Sequence, residues 1–149
     1  MVRAATFGDL PAICKLMEEM HASGTYAKYP LQIERKFKPL VMELMRSGRG
    51  CALVSVVHDE ITGFLLGMAD SLCHVFDVMF ATDVFFYPPE GDVDLVNIMY
   101  EFQAWAKSVD GVALIRVTAP AANGHRDRLG SAYRQIGMSP DAGVFSMEI

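Results

Sequence analysis

The sequence predicts a single α/β domain of the α+β type, in which helices cover a mixed β-sheet. The chain has 149 residues, 52% of them hydrophobic, and a domain of this size buries roughly 70% of its unfolded surface, so one core suffices. Two β-rich runs meet at a tight turn in the first half, which indicates an antiparallel hairpin. A strand, a helix and a strand follow one another in the second half, which indicates a parallel crossover. Together these patterns predict both strand directions within one sheet.

The first three elements are a short strand and two helices. "VRAAT" alternates as a strand, and the next segment places Asp9 as the N-cap of a helix and Pro11 in its first turn. The apolar face of this helix ends near residues 21–24. A second helical pattern covers residues 33–45, and Pro39 predicts a kink or a restart within it.

The remaining elements alternate between strands and helices. "CALVSVV" and "ITGFLLGMA" form the hairpin around residues 58–60, and the run 78–87 should pair beside them. A clear helical stripe covers residues 95–106, and "VALIRVT" then returns to the sheet as a buried strand. The chain closes with a helix over residues 129–136 and a last strand, "GVFSMEI". The predicted order is therefore β-α-α-β-β-β-α-β-α-β.

Composition and charge argue against several functions. The net charge of −5 and the pI near 5.3 do not suit a protein that binds nucleic acid or an anionic membrane, since both need a concentrated basic surface. Cys14, Cys51 and Cys73 have no CxxC spacing, so neither a disulfide framework nor a metal site is expected. No apolar stretch reaches the roughly 20 residues that span a bilayer, and the N-terminal residues lack a signal-peptide core. We therefore expect a cytoplasmic protein.

Four segments resemble the GNAT superfamily of N-acetyltransferases. "VRAATFGDLPAI" looks like the opening strand and first helix, and "EMHASGTYAKYP" is similar to the substrate-side loop, above all in members carried by bacteriophages. "ITGFLLG" looks like the third strand. "RDRLGSAYRQIGM" resembles the terminal helix motif, in which a tyrosine is followed, after three residues, by a glycine and an aromatic residue. Met138 replaces that aromatic residue here.

This resemblance implies one GNAT-like domain over residues 1–149, with a mostly antiparallel sheet of about six or seven strands and about four flanking helices. It implies an enzyme that transfers an acetyl group from acetyl-CoA to a primary amine by direct attack in a ternary complex. The acceptor would be a small molecule or a protein, and a homodimer is the default assembly. Two alternatives stay open: a degenerate GNAT-fold binding or structural module that has lost CoA, and use of an acyl donor without a pyrophosphate.

The resemblance also places candidate catalytic and cofactor residues. The pantetheine arm would enter a splay between the strands 78–87 and 112–118, and the backbone that contacts it would be that of Phe85, Phe86 and Tyr87. Tyr133 falls where the family's general acid lies, although its apolar stripe equally suits a core tyrosine with a satisfied hydroxyl. Asp83 is the first candidate base, because strand alternation puts it on one face with Phe85 and Tyr87.

Further candidates lie outside these strands. His21 and His58 follow Asp83 as candidate bases. Tyr26 and Tyr29, in the loop after the first helix, would shape an acceptor pocket together with His21. Each has a simpler interpretation, as an exposed or structural histidine or as part of a loop that aromatic rings hold in place.

The junction "PPEGDVD" departs from the family's pyrophosphate loop. Relatives use Q/R-x-x-G-x-G/A at the start of the central helix, since free N–H groups and the helix dipole hold the anion there. Here Gly91 is the only glycine kept, Glu90, Asp92 and Asp94 are acidic, and no Arg or Lys occurs within residues 71–100. We expect Asp92 to cap the helix and so to compete with the cofactor for the same donors.

The cofactor would therefore meet an acidic loop. In this loop the cofactor would contact Gly91, Asp92 and Val93. The cation that reaches its phosphates would be Arg126, or else Arg128 or Lys107. A carboxylate about 6 Å from a phosphate opposes binding by about 3 kcal/mol at a dielectric near 20, whereas a helix N-terminus contributes only about 0.3–1 kcal/mol. We expect any affinity for acetyl-CoA to be weakened.

Overall fold

The computed structural model describes residues 1–119 and 126–140 and confirms the predicted α+β class. Within them lie five strands and four α-helices: β1 (Val2–Ala4), α1 (Leu10–Ser23), α2 (Lys38–Arg46), β2 (Gly50–Val57), β3 (Glu60–Ser71), β4 (Met79–Tyr87), α3 (Asp92–Ser108), β5 (Val112–Arg116) and α4 (Arg126–Gln135). The predicted last strand, residues 143–149, lies outside the described residues. The predicted order is confirmed up to α4.

The five strands form one mixed sheet in the order β1-β2-β3-β4-β5. The first three pairs are antiparallel, and β4 pairs with β5 in parallel. Parallel neighbours need a crossover connection, and α3 supplies it between β4 and β5. The predicted mixed, mostly antiparallel sheet is therefore confirmed.

Helices cover both faces of this sheet. On one face α3 and α4 pack on the strands through a core that includes Leu65, Ile98, Phe102 and Leu129. On the other face α1 and α2 pack on a second core, which includes Ile13, Val41, Val54, Phe64 and Leu66. Adjacent residues of β3 thus alternate between the two cores, which is the period of two that a strand buried on both sides requires.

A β-bulge interrupts the pairing of β3 with β4. Leu66 pairs with Phe85 and the next residue, Gly67, pairs with Asp83, so Val84 has no partner of its own on β3. A bulge inserts one residue and shifts the side-chain alternation beyond it by one position.

The bulge puts Asp83 on the opposite face from the aromatic residues that follow it. Gly67, the partner of Asp83, faces the Phe102 ring on the α3 side of the sheet. Phe85 and Tyr87 pack instead into the core under α1 and α2. The prediction that Asp83, Phe85 and Tyr87 share one face was therefore wrong, because period-two alternation does not continue through a bulge.

Both predicted helix starts are found, and the first differs in one detail. A short 3-10 turn, Phe7–Asp9, precedes α1, and Asp9 occupies the N-cap position of α1 as predicted, but its carboxylate accepts a hydrogen bond from the backbone N–H of Thr6 at 2.7 Å and does not cap α1. Two further bonds from Arg3, at 2.7 and 2.9 Å, hold that carboxylate. Pro39 lies in the first turn of α2, which follows a π-helical turn, so the predicted restart is confirmed.

Neither a membrane span nor a metal cluster is found in the described part of the chain. No helix there is both long and apolar enough to cross a bilayer. Among the same residues, no group of three or more His, Cys, Asp and Glu side chains could hold a metal ion. Cys14 and Cys51 are buried thiols and Cys73 is an exposed one.

Asp9→Asn should destabilise the protein at neutral pH and much less at acid pH. The hydrogen bonds from Arg3, the largest cause, hold the pKa of the Asp9 carboxyl well below its usual range. A lowered pKa stabilises the fold above the unfolded-state value near 3.9, and that contribution is lost as the pH falls further. We expect a loss of about 1–3 kcal/mol in the free energy of unfolding at pH 7 by urea denaturation.

Asp59→Asn is the matched control, because Asp59 is exposed in the β2–β3 turn at φ 64°, a conformation that asparagine tolerates. Equal unfolding free energies for wild type and Asp9→Asn at pH 7 would show that the Arg3 pair contributes nothing.

Candidate functional site

The sheet opens at the carboxyl ends of β4 and β5. These strands pair from Met79 and Val112 as far as Thr82 and Arg116. Residues 83–87 of β4 continue beyond this pairing without a described partner on the β5 side. We call the point where the strands part the fork. Its position agrees with the predicted splay between these two strands.

Asp83 bridges the fork from β4. Its Oδ1 accepts a hydrogen bond from the backbone N–H of Thr118 at 3.0 Å, and its Oδ2 accepts one from the Thr118 hydroxyl at 2.7 Å. Burial raises the pKa of the Asp83 carboxyl, and the two bonds from Thr118 oppose that rise. A side chain thus joins the strands immediately beyond the point where backbone pairing ends.

Tyr133 reaches the same residue from α4. Its hydroxyl donates to the carbonyl oxygen of Thr118 at 2.7 Å, and the residue is 8% exposed. Burial, and then the charge of Asp83, raise the pKa of Tyr133 above its usual range, so the phenol keeps its proton at neutral pH. The two predicted catalytic residues therefore converge on Thr118. A protonated, hydrogen-bonded tyrosine suits both a general acid and a satisfied core residue.

The end of β4 carries the predicted backbone contacts, namely Phe85, Phe86 and Tyr87. The Phe85 ring meets the Phe37 ring edge-on at 5.6 Å, and the Tyr87 ring stacks on Phe64 at 6.1 Å. The Tyr87 hydroxyl lies 3.5 Å from Glu19 Oε2 of α1. Phe86 packs toward the α3 core instead. Side-chain packing thus fixes this strand, while its edge toward β5 stays without a described strand partner.

Gly91, and not Asp92, is the N-cap of α3. Gly91 has the extended backbone of a cap (φ −76°, ψ 133°), and its carbonyl accepts the Leu95 N–H at 2.9 Å. No side chain caps the helix, and a Cβ at Gly91 would meet only Asp94 Oδ2 at 4.0 Å. The predicted cap at Asp92 was wrong by one residue, since Asp92 is already helical. Competition between a capping carboxylate and an anion therefore does not arise, and exposed Val93 follows in the same first turn.

Arg128 brings a positive charge to this loop from α4. Its Nε donates to Asp92 Oδ1 at 2.7 Å, and its Nη2 donates to the carbonyl oxygens of Pro89 and Glu90 at 2.7 and 2.6 Å. A cavity of about 230 Å³ lies beside these contacts, between α3 and α4. We call these three bonds the Arg128 clamp.

The other predicted cations lie elsewhere. Arg126 is exposed at the first residue of α4. Lys107 belongs to the last turn of α3, about 22 Å along the axis from Asp92 at 1.5 Å per residue. The suggestion that Lys107 reaches a phosphate at the loop was therefore wrong.

The predicted acceptor residues lie in the last turn of α1, which holds His21, and in the loop after it, which holds Tyr26 and Tyr29. His21 Nε2 lies 2.8 Å from the Tyr29 carbonyl oxygen, and the Tyr26 and Tyr29 rings are 6.4 Å apart. Both tyrosines are exposed, at 70% and 52%. His58 lies in the exposed turn between β2 and β3 and not at the fork. His21 thus holds the loop, and the aromatic rings face outward.

Sequence reasoning missed two contributors to the site. Thr118 stands at the carboxyl end of the strand that was expected to border the splay, and that position was the available signal. No pattern in the sequence pointed to Glu19, because its approach to Tyr87 depends on how α1 packs on the sheet. A cavity of about 410 Å³ between α2, β2 and α3 contains none of the predicted residues.

Comparison with known proteins identifies the fold. The sequence matches no protein-family model and none of the curated proteins. The whole chain superposes on a ribosomal-protein-alanine N-acetyltransferase from Brucella melitensis biovar Abortus 2308, with 13% identity, a TM-score of 0.67 and 99% of that chain covered. It also covers 99% of a transcriptional regulator from Bacillus halodurans C-125, with 21% identity and a TM-score of 0.70. A provisionally named acetyltransferase from Agrobacterium tumefaciens str. C58 gives a TM-score of 0.72 at 12% identity, with 99% covered. The chain has the GNAT-like fold.

Arg128→Gln should lower the free energy of unfolding by about 1–3 kcal/mol, because Asp92 loses its ionic partner and two loop carbonyls lose a charged donor. Arg126→Gln removes an exposed charge two residues away and should change stability by less than about 0.5 kcal/mol. Urea denaturation at neutral pH measures both. Equal losses from the two variants would mean that the clamp does not stabilise the loop.

Proposed function

We propose that the protein is an acetyl-CoA-dependent N-acetyltransferase that moves an acetyl group to a primary amine by direct attack in a ternary complex. The observation that supports this best is the fork, where β4 and β5 part and where Asp83 and Tyr133 converge. The GNAT-like fold, which an N-acetyltransferase of known structure shares, adds support. The composition further suggests a cytoplasmic enzyme.

The residues at the fork and at the loop fit such a cofactor. The edge of β4 over residues 83–87 offers backbone groups along a pantetheine arm. The first turn of α3 has no side-chain cap, so its backbone N–H groups can donate hydrogen bonds to a phosphate. Bound acetyl-CoA would supply the activated acetyl group.

The electrostatics of the loop point to moderate affinity. Arg128 lies against Asp92, and the amino group of Met1 lies 3.3 Å from Asp94 Oδ1, so two of the three local carboxylates have a cationic partner. Any uncompensated carboxylate about 6 Å from a phosphate costs about 3 kcal/mol before salt screening, more than the helix dipole returns. We propose that contacts to the pantetheine arm supply most of the affinity.

The side chains at the fork then have distinct roles. Tyr133 keeps its proton at neutral pH and can donate it to the departing thiolate. Asp83 stays the predicted proton acceptor, although both of its oxygens already accept bonds from Thr118. Exposed Tyr26 and Tyr29 suit a cationic small-molecule or protein amine as the acceptor.

One observation favours the second candidate function, a GNAT-fold module without CoA. The Arg128 guanidinium is engaged by Asp92 and two carbonyls, and the Tyr133 hydroxyl is satisfied by Thr118. A site whose polar groups all have internal partners gains less from a ligand.

Calorimetric titration with acetyl-CoA, up to millimolar concentration, decides between the two functions. The proposal expects saturable heat with one site per chain, whereas no heat would support the module. Acetyl-pantetheine, titrated in parallel, tests a donor without a pyrophosphate.

Asp92→Asn combined with Asp94→Asn should tighten acetyl-CoA binding at least about tenfold at low salt. Glu101→Gln, further along α3, is the control and should leave the affinity for acetyl-CoA unchanged.

Tyr133→Phe should lower kcat by about 100-fold while leaving the KM for acetyl-CoA and the circular dichroism spectrum unchanged, because only the proton donor is removed. Tyr100→Phe, exposed on α3, is the matched control. The rate of CoA release with the most reactive amine of a screened panel measures both. An unchanged kcat in Tyr133→Phe would assign Tyr133 to the core alone.

A further inference from the structure

We propose that Thr118 is a positioning residue, which forms a clip with Asp83 that fixes the fork and holds the hydroxyl of Tyr133 in place. The inference rests on the proposed acetyl transfer. It assigns a role to a residue that does not itself contact the reacting atoms.

The clip replaces backbone pairing at the point where that pairing stops. Thr82 and Arg116 form the last pair, and Asp83 follows Thr82 directly on β4. Two residues beyond Arg116, the N–H and the hydroxyl of Thr118 reach the two oxygens of that carboxylate. Two hydrogen bonds to a charged group therefore set the separation of the strands at the fork.

The bulge at Val84 makes this geometry available. Without the inserted residue, Asp83 would share a face with Phe85 and point toward α1 and α2. With it, Asp83 pairs with Gly67, which faces the Phe102 ring, and the carboxylate lies on the α3 and α4 side of the sheet. Bulges commonly redirect a side chain next to a functional site in this way.

Thr118 links the clip to the proposed acid. Its N–H and hydroxyl donate to Asp83, while its carbonyl oxygen accepts the Tyr133 hydroxyl at 2.7 Å. A shift of the Thr118 peptide would therefore move the Tyr133 hydroxyl with it. Catalytic groups tolerate displacements of only about half an ångström, so a loosened clip should reduce kcat more than affinity.

The clip also explains why Asp83 suits positioning better than proton abstraction. Both of its carboxylate oxygens already accept hydrogen bonds, at 3.0 and 2.7 Å. Each oxygen keeps a second lone pair, so a proton taken from an amine would not displace Thr118, but it would remove the charge that strengthens both bonds and so loosen the clip. Holding the fork and accepting the proton are therefore competing tasks for one side chain.

Thr118→Val tests the clip, because it removes the hydroxyl and preserves the shape of the side chain. We expect a 10- to 100-fold lower kcat, roughly the cost of an ångström-scale misplacement, with the KM for acetyl-CoA within about twofold of wild type. Thr118→Ser, which keeps the hydroxyl, should restore most of the rate. Thr62→Val is the matched control, since the Thr62 hydroxyl lies 3.5 Å from the backbone carbonyl of Ser55, in the β2–β3 hairpin and away from the fork.

A second readout does not depend on activity. In protein labelled with ¹³C at the tyrosine Cζ, Tyr133→Phe identifies the Tyr133 resonance. That resonance should shift in Thr118→Val and stay in place in Thr118→Ser and Thr62→Val. Thr118→Ala replaces the valine variant if the latter unfolds.

Each outcome either supports or overturns the role of the clip. An unchanged kcat together with an unchanged Tyr133 resonance in Thr118→Val overturns the clip. Failure of Thr118→Ser to restore the rate overturns the role of the hydroxyl. If no variant, wild type included, binds acetyl-CoA or acetylates an amine, the proposed function fails and the catalytic role of Thr118 fails with it. A shifted Tyr133 resonance would then show that the clip is structural only.

Discussion

The parallel pairing of β4 with β5 ends at Thr82 and Arg116, and the arrangement of the whole site depends on that end. A sheet that continued would satisfy its own backbone groups. Because the pairing stops, residues 83–87 of β4 have no described partner on β5, and a side chain holds the two strands together there instead. Asp83 does so through Thr118, and the Tyr133 hydroxyl is held through the same residue.

The negative charge at the start of α3 is likewise balanced by a residue from another part of the fold. Glu90 precedes α3, Asp92 and Asp94 lie in its first turn, and α4 contributes Arg128 to this acidic cluster. This arginine neutralises Asp92 and ties the loop to α4, so the loop keeps its shape without a side-chain cap. A phosphate would approach a partly balanced surface instead of a strongly acidic one.

Local patterns in the sequence were enough to predict the order of elements, the hairpin and the crossover, because period-two and period-3.6 repeats report directly on strands and helices. They were not enough to place Asp83, since an inserted residue such as Val84 leaves no mark on a short strand pattern. The cap was misplaced by one residue because Gly91 and Asp92 are both good N-cap residues. The Arg128 clamp joins residues 36 positions apart, a distance that only packing resolves.

The fork as an acetyl-CoA site is the central claim, and amide chemical-shift mapping tests it most directly. In ¹⁵N-labelled protein, added acetyl-CoA should shift the amide resonances of residues 83–87, Thr118 and the first turn of α3. The resonances lining the larger cavity, such as those of Cys51 and Trp105, should stay in place. Shifts confined to that cavity, or no shifts at millimolar acetyl-CoA, would contradict the account.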